Sequence, residues 1–321
     1  LADFYKNPLL KFEEVVKEKQ VIIEELHKDR DNPMRHIWDV WEELLYGDQP
    51  AGWDVGGDES TVRSVTQEVL FDYFHHQYVV LNTAVVVAGN FDEQDAVAAV
   101  RAHFNGVRDG EPIRRKPTVT EKQKNPAVHI FDKPTDQTHL IAGFRGYSAL
   151  HPQRYAAEVL GVILGGGMSS RMFDRIREKL GLAYAVWSAH ESYSNRGFLT
   201  TYAGVDHSNV ERTITAILDE YRKVCEKPVL EKELKKVKDY IRGTTLMGLE
   251  QSNAVASFVG TEEMVTGKPM TIDEVFAKID AVTAEDIGAV ARDIMKPERL
   301  NLAMIGPHKE DTAFRKIIED F

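Results

Sequence analysis

Glutamates come first among the residues that could do chemistry. Segment 8–28 is patterned as a helix and carries Glu13, Glu14, Glu18, Glu24 and Glu25. Glu18 and Glu25 are seven apart, two helical turns, and so share a face. Val15, Ile22 and Leu26 lie close to that face, which predicts partial burial. A buried, unpaired carboxylate is costly, so such groups bind a metal, accept hydrogen bonds or share a proton. The plainer alternative is a solvated acidic helix with Lys17, Lys19 and Lys28 as neighbours. Imidazole ligands are not arranged to help. No two of the 11 histidines are three or four apart, and neither HExxH nor HxxEH occurs. His75 and His76 are adjacent and point about 100° apart on a helix.

A second cluster runs from Gly165-Gly166-Gly167 through Ser169, Ser170, Arg171, Arg177 and Gly181 to Tyr184. It lacks GxxxxGK[ST] and GxGxxG, so a phosphate loop is not indicated. The pattern predicts a mobile glycine turn, a serine N-cap, a short amphipathic helix and then a strand. Gly181 ends the helix, which places Arg177 and Tyr184 on different elements that could converge. The plainer alternative makes Arg177 a surface ion-pair residue beside Asp174 or Glu178, and Tyr184 an ordinary strand aromatic.

The elements that must position these residues come in two copies. Val65-Thr66-Gln67-Glu68 leads through an amphipathic helix into Leu81-Asn82-Thr83-Ala84-Val85-Val86-Val87-Ala88-Gly89. Val282-Thr283-Ala284-Glu285 leads likewise into Leu300-Asn301-Leu302-Ala303-Met304-Ile305-Gly306, ungapped at an offset of 217. Each copy predicts a Thr-capped helix and a short apolar strand ended by glycine. Glu42-Glu43-Leu44-Leu45-Tyr46-Gly47 matches Glu262-Glu263-Met264-Val265-Thr266-Gly267 at an offset of 220, where Pro8 also falls on Pro228. On that offset Lys238 and Thr245 stand for Glu18 and Glu25, so the fold does without these carboxylates in the second copy. Their presence in the first looks like a chemical need.

Ahead of Pro228 the second copy has predicted strands at 128–131 and 139–144, a helix at 152–164, and a hairpin of 183–192 and 197–205. Only seven residues precede Pro8, so the first copy is expected to lack roughly 100 residues of its front, measured against the second. The division is a first domain at 1–109, a linker at 110–126 containing Arg114-Arg115-Lys116, and a second domain at 127–321. Mixed strands and helices with a hairpin, and no regular βαβ alternation, predict α+β domains with mainly antiparallel sheets.

Composition narrows the partners. The 321 residues carry 40 Lys+Arg against 51 Asp+Glu, a balance of 40 − 51 = −11, which argues against sequence-independent nucleic-acid binding. Apolar runs fall far short of the ~20 residues that span a bilayer, and no signal peptide is visible. Compartment stays open. The single cysteine, Cys225, rules out an intramolecular disulfide and any Cys-rich metal cluster.

Three segments together resemble the pitrilysin/insulinase metallopeptidases, the inverzincins that include mitochondrial processing peptidases. Phe12-Glu13…Glu18-Lys19-Gln20-Val21-Ile22-Ile23-Glu24-Glu25-Leu26 with Asp31-Asn32-Pro33 is similar to the helix supplying the family's third zinc ligand. Residues 65–89 resemble its helix-plus-strand. Ser169-Ser170-Arg171-Met172-Phe173…Arg177-Glu178-Lys179-Leu180-Gly181-Leu182-Ala183-Tyr184 is similar to its second-half signature. The likeness covers essentially the whole chain, duplication included.

The resemblance implies two homologous α/β-roll domains, the first incomplete, closing a chamber that admits extended or unfolded peptides. It implies zinc held by the two His of HxxEH and a downstream Glu. By position that Glu is Glu25, Glu18 is the acidic residue that orients ligands, and Arg177 with Tyr184 is the pair holding substrate backbone and oxyanion. HxxEH is missing, so this chain by itself is expected to bind no catalytic zinc and to cleave nothing. The leading expectation is therefore a truncated zinc metalloendopeptidase. The rivals are a naturally non-catalytic subunit beside a zinc-bearing partner, and a peptide-binding module without chemistry. A homodimer or heterodimer is expected by analogy, and exposed apolar surface in the first domain should favour self-association.

Overall fold

The computed structural model describes residues 1–113 and 117–321; the basic run Arg114-Arg115-Lys116 lies outside the described residues. In chain order the helices are α1 (Ala2–Lys6), α2 (Phe12–Asp31), α3 (Pro33–Tyr46), α4 (Glu59–Ser64), α5 (Gln67–Gln77) and α6 (Glu93–Phe104). Strands β1 (Ala127–Asp132) and β2 (Thr138–Arg145) follow, then α7 (Arg154–Gly165), a π-helical turn (Phe173–Lys179), β3 (Ala183–Ser192) and β4 (Gly197–Val205). The remainder is α8 (Val210–Glu226), α9 (Glu231–Gly248), α10 (Ser252–Thr266), α11 (Ile272–Ala281), α12 (Ala284–Ile294), β5 (Asn301–Gly306) and α13 (Thr312–Glu319). None of the described helices is long and apolar enough to cross a membrane.

The chain divides into two compact units that are discontinuous in sequence. One comprises 1–29, 54–117 and 248–269; the other comprises 30–53, 118–247 and 270–321. Packing thus draws its line differently from the division at 109 and 127. Helix α3 of the first repeat packs in the second unit, and its repeat counterpart α10 packs in the first.

The second unit is built on a five-stranded sheet of order β1-β5-β2-β4-β3. Only β1 and β5 run parallel; the other neighbours are antiparallel, as the hairpin predicts. Leu140, Ala142 and Phe144 alternate onto one face, against α7, α8 and α12. Ile141, Ala303 and Ile305 face the other way, onto Ile37, Val40 and Trp41 of α3. Both faces are covered, and every residue of β5 is buried. Closeness matters at the end of α7, where a Cβ on Gly165 would stand 2.0 Å from the Ser188 amide nitrogen of β3. The expected mobile glycine turn is therefore a tight helix-on-strand contact. It takes glycine because a side chain has no room.

The first unit holds no strand among its described residues. Predicted strand 81–89 is instead a 3-10 turn (Val80–Asn82) followed by unpaired backbone, with Leu81 59%, Val85 41% and Val87 49% exposed. A strand needs neighbouring N–H and C=O groups, and here it has one isolated bridge, between Val79 and Arg108. The core is correspondingly small: Ile23, Leu26 and Val62, with Ile22 against them.

The duplication is visible in bonds as well as in letters. Gly47 and Gly267 both take positive φ, 62° and 66°, and their N–H groups cap the carbonyls of Glu43 and Glu263. Lys19 donates to the Arg63 and Val65 carbonyls, while Lys238 donates to those of Asp280 and Val282. These matched clamps shift the helix alignment by one residue. Lys238 answers Lys19, so Val237 and Thr244 stand opposite Glu18 and Glu25.

Candidate functional site

Arg177 and Tyr184 are brought together by two departures from regular structure. The segment after Ser170 winds as a π-helix, with the Leu180 amide bonding to Arg175 O and the Leu182 amide to Ile176 O. Single π turns are rare and recur at functional sites. Met172 and Ile176 anchor the inner face at 0% exposure, leaving Phe173 and Arg177 outward. A bidentate pair fixes the base of the turn: Arg171 Nε and Nη2 donate to Glu233 Oε1 and Oε2 of α9, both at 2.8 Å. Gly181, at φ 59°, reverses the chain into β3. The expected serine cap is not made, since Ser170 Oγ is buried without a partner.

Strand β3 then bulges. Ala183 pairs with Val205 and Ala185 with Gly204, which leaves Tyr184 as the extra residue. Bulges re-aim side chains, and Tyr184 emerges 76% exposed. The Arg177 guanidinium lies 4.9 Å from the centroid of the Phe173 ring and 5.6 Å from that of Tyr184. Such contacts orient a cation without consuming its N–H donors. Asp174, the nearby acid, is taken by Lys179 at 2.6 Å. The surface ion pair considered for Arg177 is therefore replaced by ring contacts, and the guanidinium edge stays available to acceptors. Phe173 was missed in the sequence, although its spacing of four before Arg177 on a helical segment was a usable signal.

In the first unit, α2 turns Val15, Ile23 and Leu26 inward. Glu18 and Glu25 lie roughly a quarter turn away from that stripe and are exposed. This corrects the partial burial expected of their face: the apolar stripe is offset by one residue toward Ile23. Nearby, Gln20 donates to Glu24 at 3.0 Å, and His27 pairs with Glu59 at 3.4 Å. No group of three or more His, Cys, Asp or Glu gathers into a metal site among the described residues. One exposed carboxylate with no imidazole beside it does not fit a zinc centre on its own.

Residues 64–241 match the family model described as "Peptidase M16 inactive domain". An "Uncharacterized zinc protease" of Streptomyces coelicolor is 32% identical over 320 residues, covering 98% of this chain and 70% of that protein. A protein of the same description from Rickettsia felis is 34% identical over 314 residues, covering 96% and 74%. Among solved structures, "The crystal structure of a protease from Helicobacter pylori" aligns at a TM-score of 0.87, with 20% identity over 95% of this chain and 75% of that one. A peptidase M16 inactive domain from Pseudomonas fluorescens aligns at 0.86, with 19% identity over 96% and 73%. These structural likenesses carry the fold.

Proposed function

The chain belongs to the M16 peptidase family, and from that premise we propose that it works in a zinc-dependent metalloendopeptidase that cleaves peptides or unfolded polypeptides. Arg177 and Tyr184 are its substrate-holding pair. The observation that carries this is the guanidinium set over Phe173 and Tyr184 while Lys179 occupies Asp174. Arg177 binds peptide carbonyl oxygens through its fixed fork of donors. The Tyr184 hydroxyl donates to the scissile carbonyl oxygen as negative charge gathers there. By resemblance Glu25 would hold the metal, with Glu18 orienting it; HxxEH is absent from these 321 residues, and zinc would supply Lewis-acid activation of water and carbonyl.

Binding and metal measurements test this separately. An extended, unstructured peptide amidated at its C-terminus should bind the 321-residue chain, with affinity falling at least tenfold in Arg177→Ala and only severalfold in Tyr184→Phe. In the catalytically complete protein, Tyr184→Phe should lower kcat on the order of 10²-fold at similar KM. Unchanged binding in Arg177→Ala would remove the assignment. Metal analysis of the chain should give no stoichiometric zinc; a full equivalent lost in Glu25→Gln would contradict that. The second reading, a non-catalytic partner subunit, keeps Arg177 and Tyr184 but has no use for Glu18 and Glu25, whose presence in the first copy counts against it. It requires Glu25→Gln to leave the activity of the assembled enzyme unchanged.

A further inference from the structure

At the opposite end of the sheet from Tyr184 lies a cavity of about 460 Å³, between the C-terminus of α3, residues 120–127, and the ends of β2 and β5. Seven residue steps of β2 separate the two ends, roughly 23 Å. The cavity's charge is unusual for an acidic chain. Arg145 is half-buried in its wall, and burial lowers its pKa, with Glu121 opposing. Its Nη1 and Nη2 donate to Thr120 O and Leu45 O, it lies 5.0 Å from the centroid of the Tyr46 ring, and its Nε is buried with no partner. Glu121 is engaged by Arg299 at 3.8 Å, and Arg145 makes no ion pair among the described residues. The α3 carbonyl, through the helix dipole, and Glu121 each offset part of the charge, but no carboxylate hydrogen-bonds the guanidinium among the described residues. Lys122 adds a second cation to the lining, while Asp48, its one carboxylate, accepts from Trp53 at 3.0 Å.

Asn301 supplies the other half of the pattern. It is 1% exposed, and its Nδ2 donates to Gln123 Oε1 and to the Arg299 carbonyl. A carbonyl accepts only, so the amide cannot be flipped, and Oδ1 is left as a buried acceptor without a donor. The lining therefore lacks an anion at Arg145 and an N–H at Asn301. An ionised carboxylate answers only the first need, and phosphate meets the second only through a protonated oxygen. A carboxylate with an amide N–H two bonds from its carbon answers both, and that is the C-terminal residue of a peptide.

We propose that this cavity is a second binding site, for the free C-terminal end of a peptide, with the carboxylate on Arg145 and Lys122 and the last amide N–H on Asn301 Oδ1. The volume lies in the range of small-molecule sites and far exceeds what a single anion fills. Catalysis is not required for the claim, so its failure and that of the Arg177–Tyr184 reading are distinguishable.

Calorimetric titration of the 321-residue chain with N-acetyl-trialanine as free acid, its C-terminal amide, and inorganic phosphate tests it. The acid should saturate one site, the amide should bind at least tenfold more weakly, and equimolar phosphate should not displace the acid. Arg145→Gln should weaken the acid at least tenfold. Because Arg145 also ties down two carbonyls, Lys122→Gln, on the exposed rim, provides a variant that leaves the fold alone; severalfold weakening is expected. Arg177→Ala should bind the acid normally. Equal binding of acid and amide, displacement by phosphate, no saturable binding, or loss in Arg177→Ala with Arg145→Gln intact would each overturn the proposal.

Discussion

Thr66 and Thr283 cap matching helices, and both segments run on into an apolar stretch ending in glycine, 81–89 in one and 300–306 in the other. The helices form in both places. Thr66 accepts from the Val69 amide at 3.2 Å; Thr283 makes the full reciprocal box with Asp286. The apolar stretches part company. Residues 301–306 sit between β1 and β2 with all six buried, while Val85 and Val87 stay exposed and unpaired. Helix α12 buries Ile287, Val290, Ala291 and Ile294, whereas α5 fully buries none of its residues. A cap satisfies its own helix, so it travels with the sequence. A strand is completed by its neighbours, so it does not.

The comparison can be broken most directly in the paired strand. Leu302→Ala should destabilise the second unit by about 2–5 kcal/mol, while Val87→Ala should stay within about 0.5 kcal/mol. Chemical denaturation checks both. Hydrogen exchange should find 302–305 among the slowest amides and 84–88 among the fastest; comparable protection would erase the difference.

A second contrast concerns pH. In the second unit His190 accepts from the Tyr147 amide at 3.0 Å, and burial, with His151 adding to it, pushes its pKa down to about 4. The folded-state value lies below the unfolded one, so protonation favours unfolding. This contribution is fully present above about pH 6.5 and is lost as pH falls from there toward 4, reaching on the order of 3 kcal/mol. Shifted groups of the first unit, Asp58 and Glu59, are exposed carboxylates lowered by hydrogen bonds at a helix start. Between pH 7 and 5 the denaturation midpoint of the second unit should fall, and His190→Gln should flatten the slope. An equal slope in that variant would remove His190 as the cause.

The smallest effect sharpens the part the copies share. Thr283→Ala should cost about 1 kcal/mol, and Thr66→Ala, with one longer bond and no reciprocal partner, about 0.5. Equal losses would mean that the box adds nothing over a single cap.

Much of the second unit was legible beforehand. Hairpin strands 183–192 and 197–205 have the predicted bounds, and the helix expected at 152–164 is α7, Arg154–Gly165. Arg177 and Tyr184 were legible as a pair separated by a helix stop at Gly181. Hidden in the sequence were the π turn, the bulge and the Arg171–Glu233 brace, which depend on residues up to 62 positions away. The exposure of Glu18 and Glu25 was misjudged because Ile22 and Ile23 are chemically alike, and only packing chose Ile23 for the core.

Local physics is written in the chain itself. Periodicity, capping threonines and the glycines after Tyr46 and Thr266 follow from bonds that close within one element. Tertiary structure alone decided which apolar run became a strand, which repeat's helix covered which core, and how Tyr184 came to stand beside Arg177. Those outcomes rest on hydrogen-bond partners and packing surfaces supplied by distant residues, and no short segment encodes its partner.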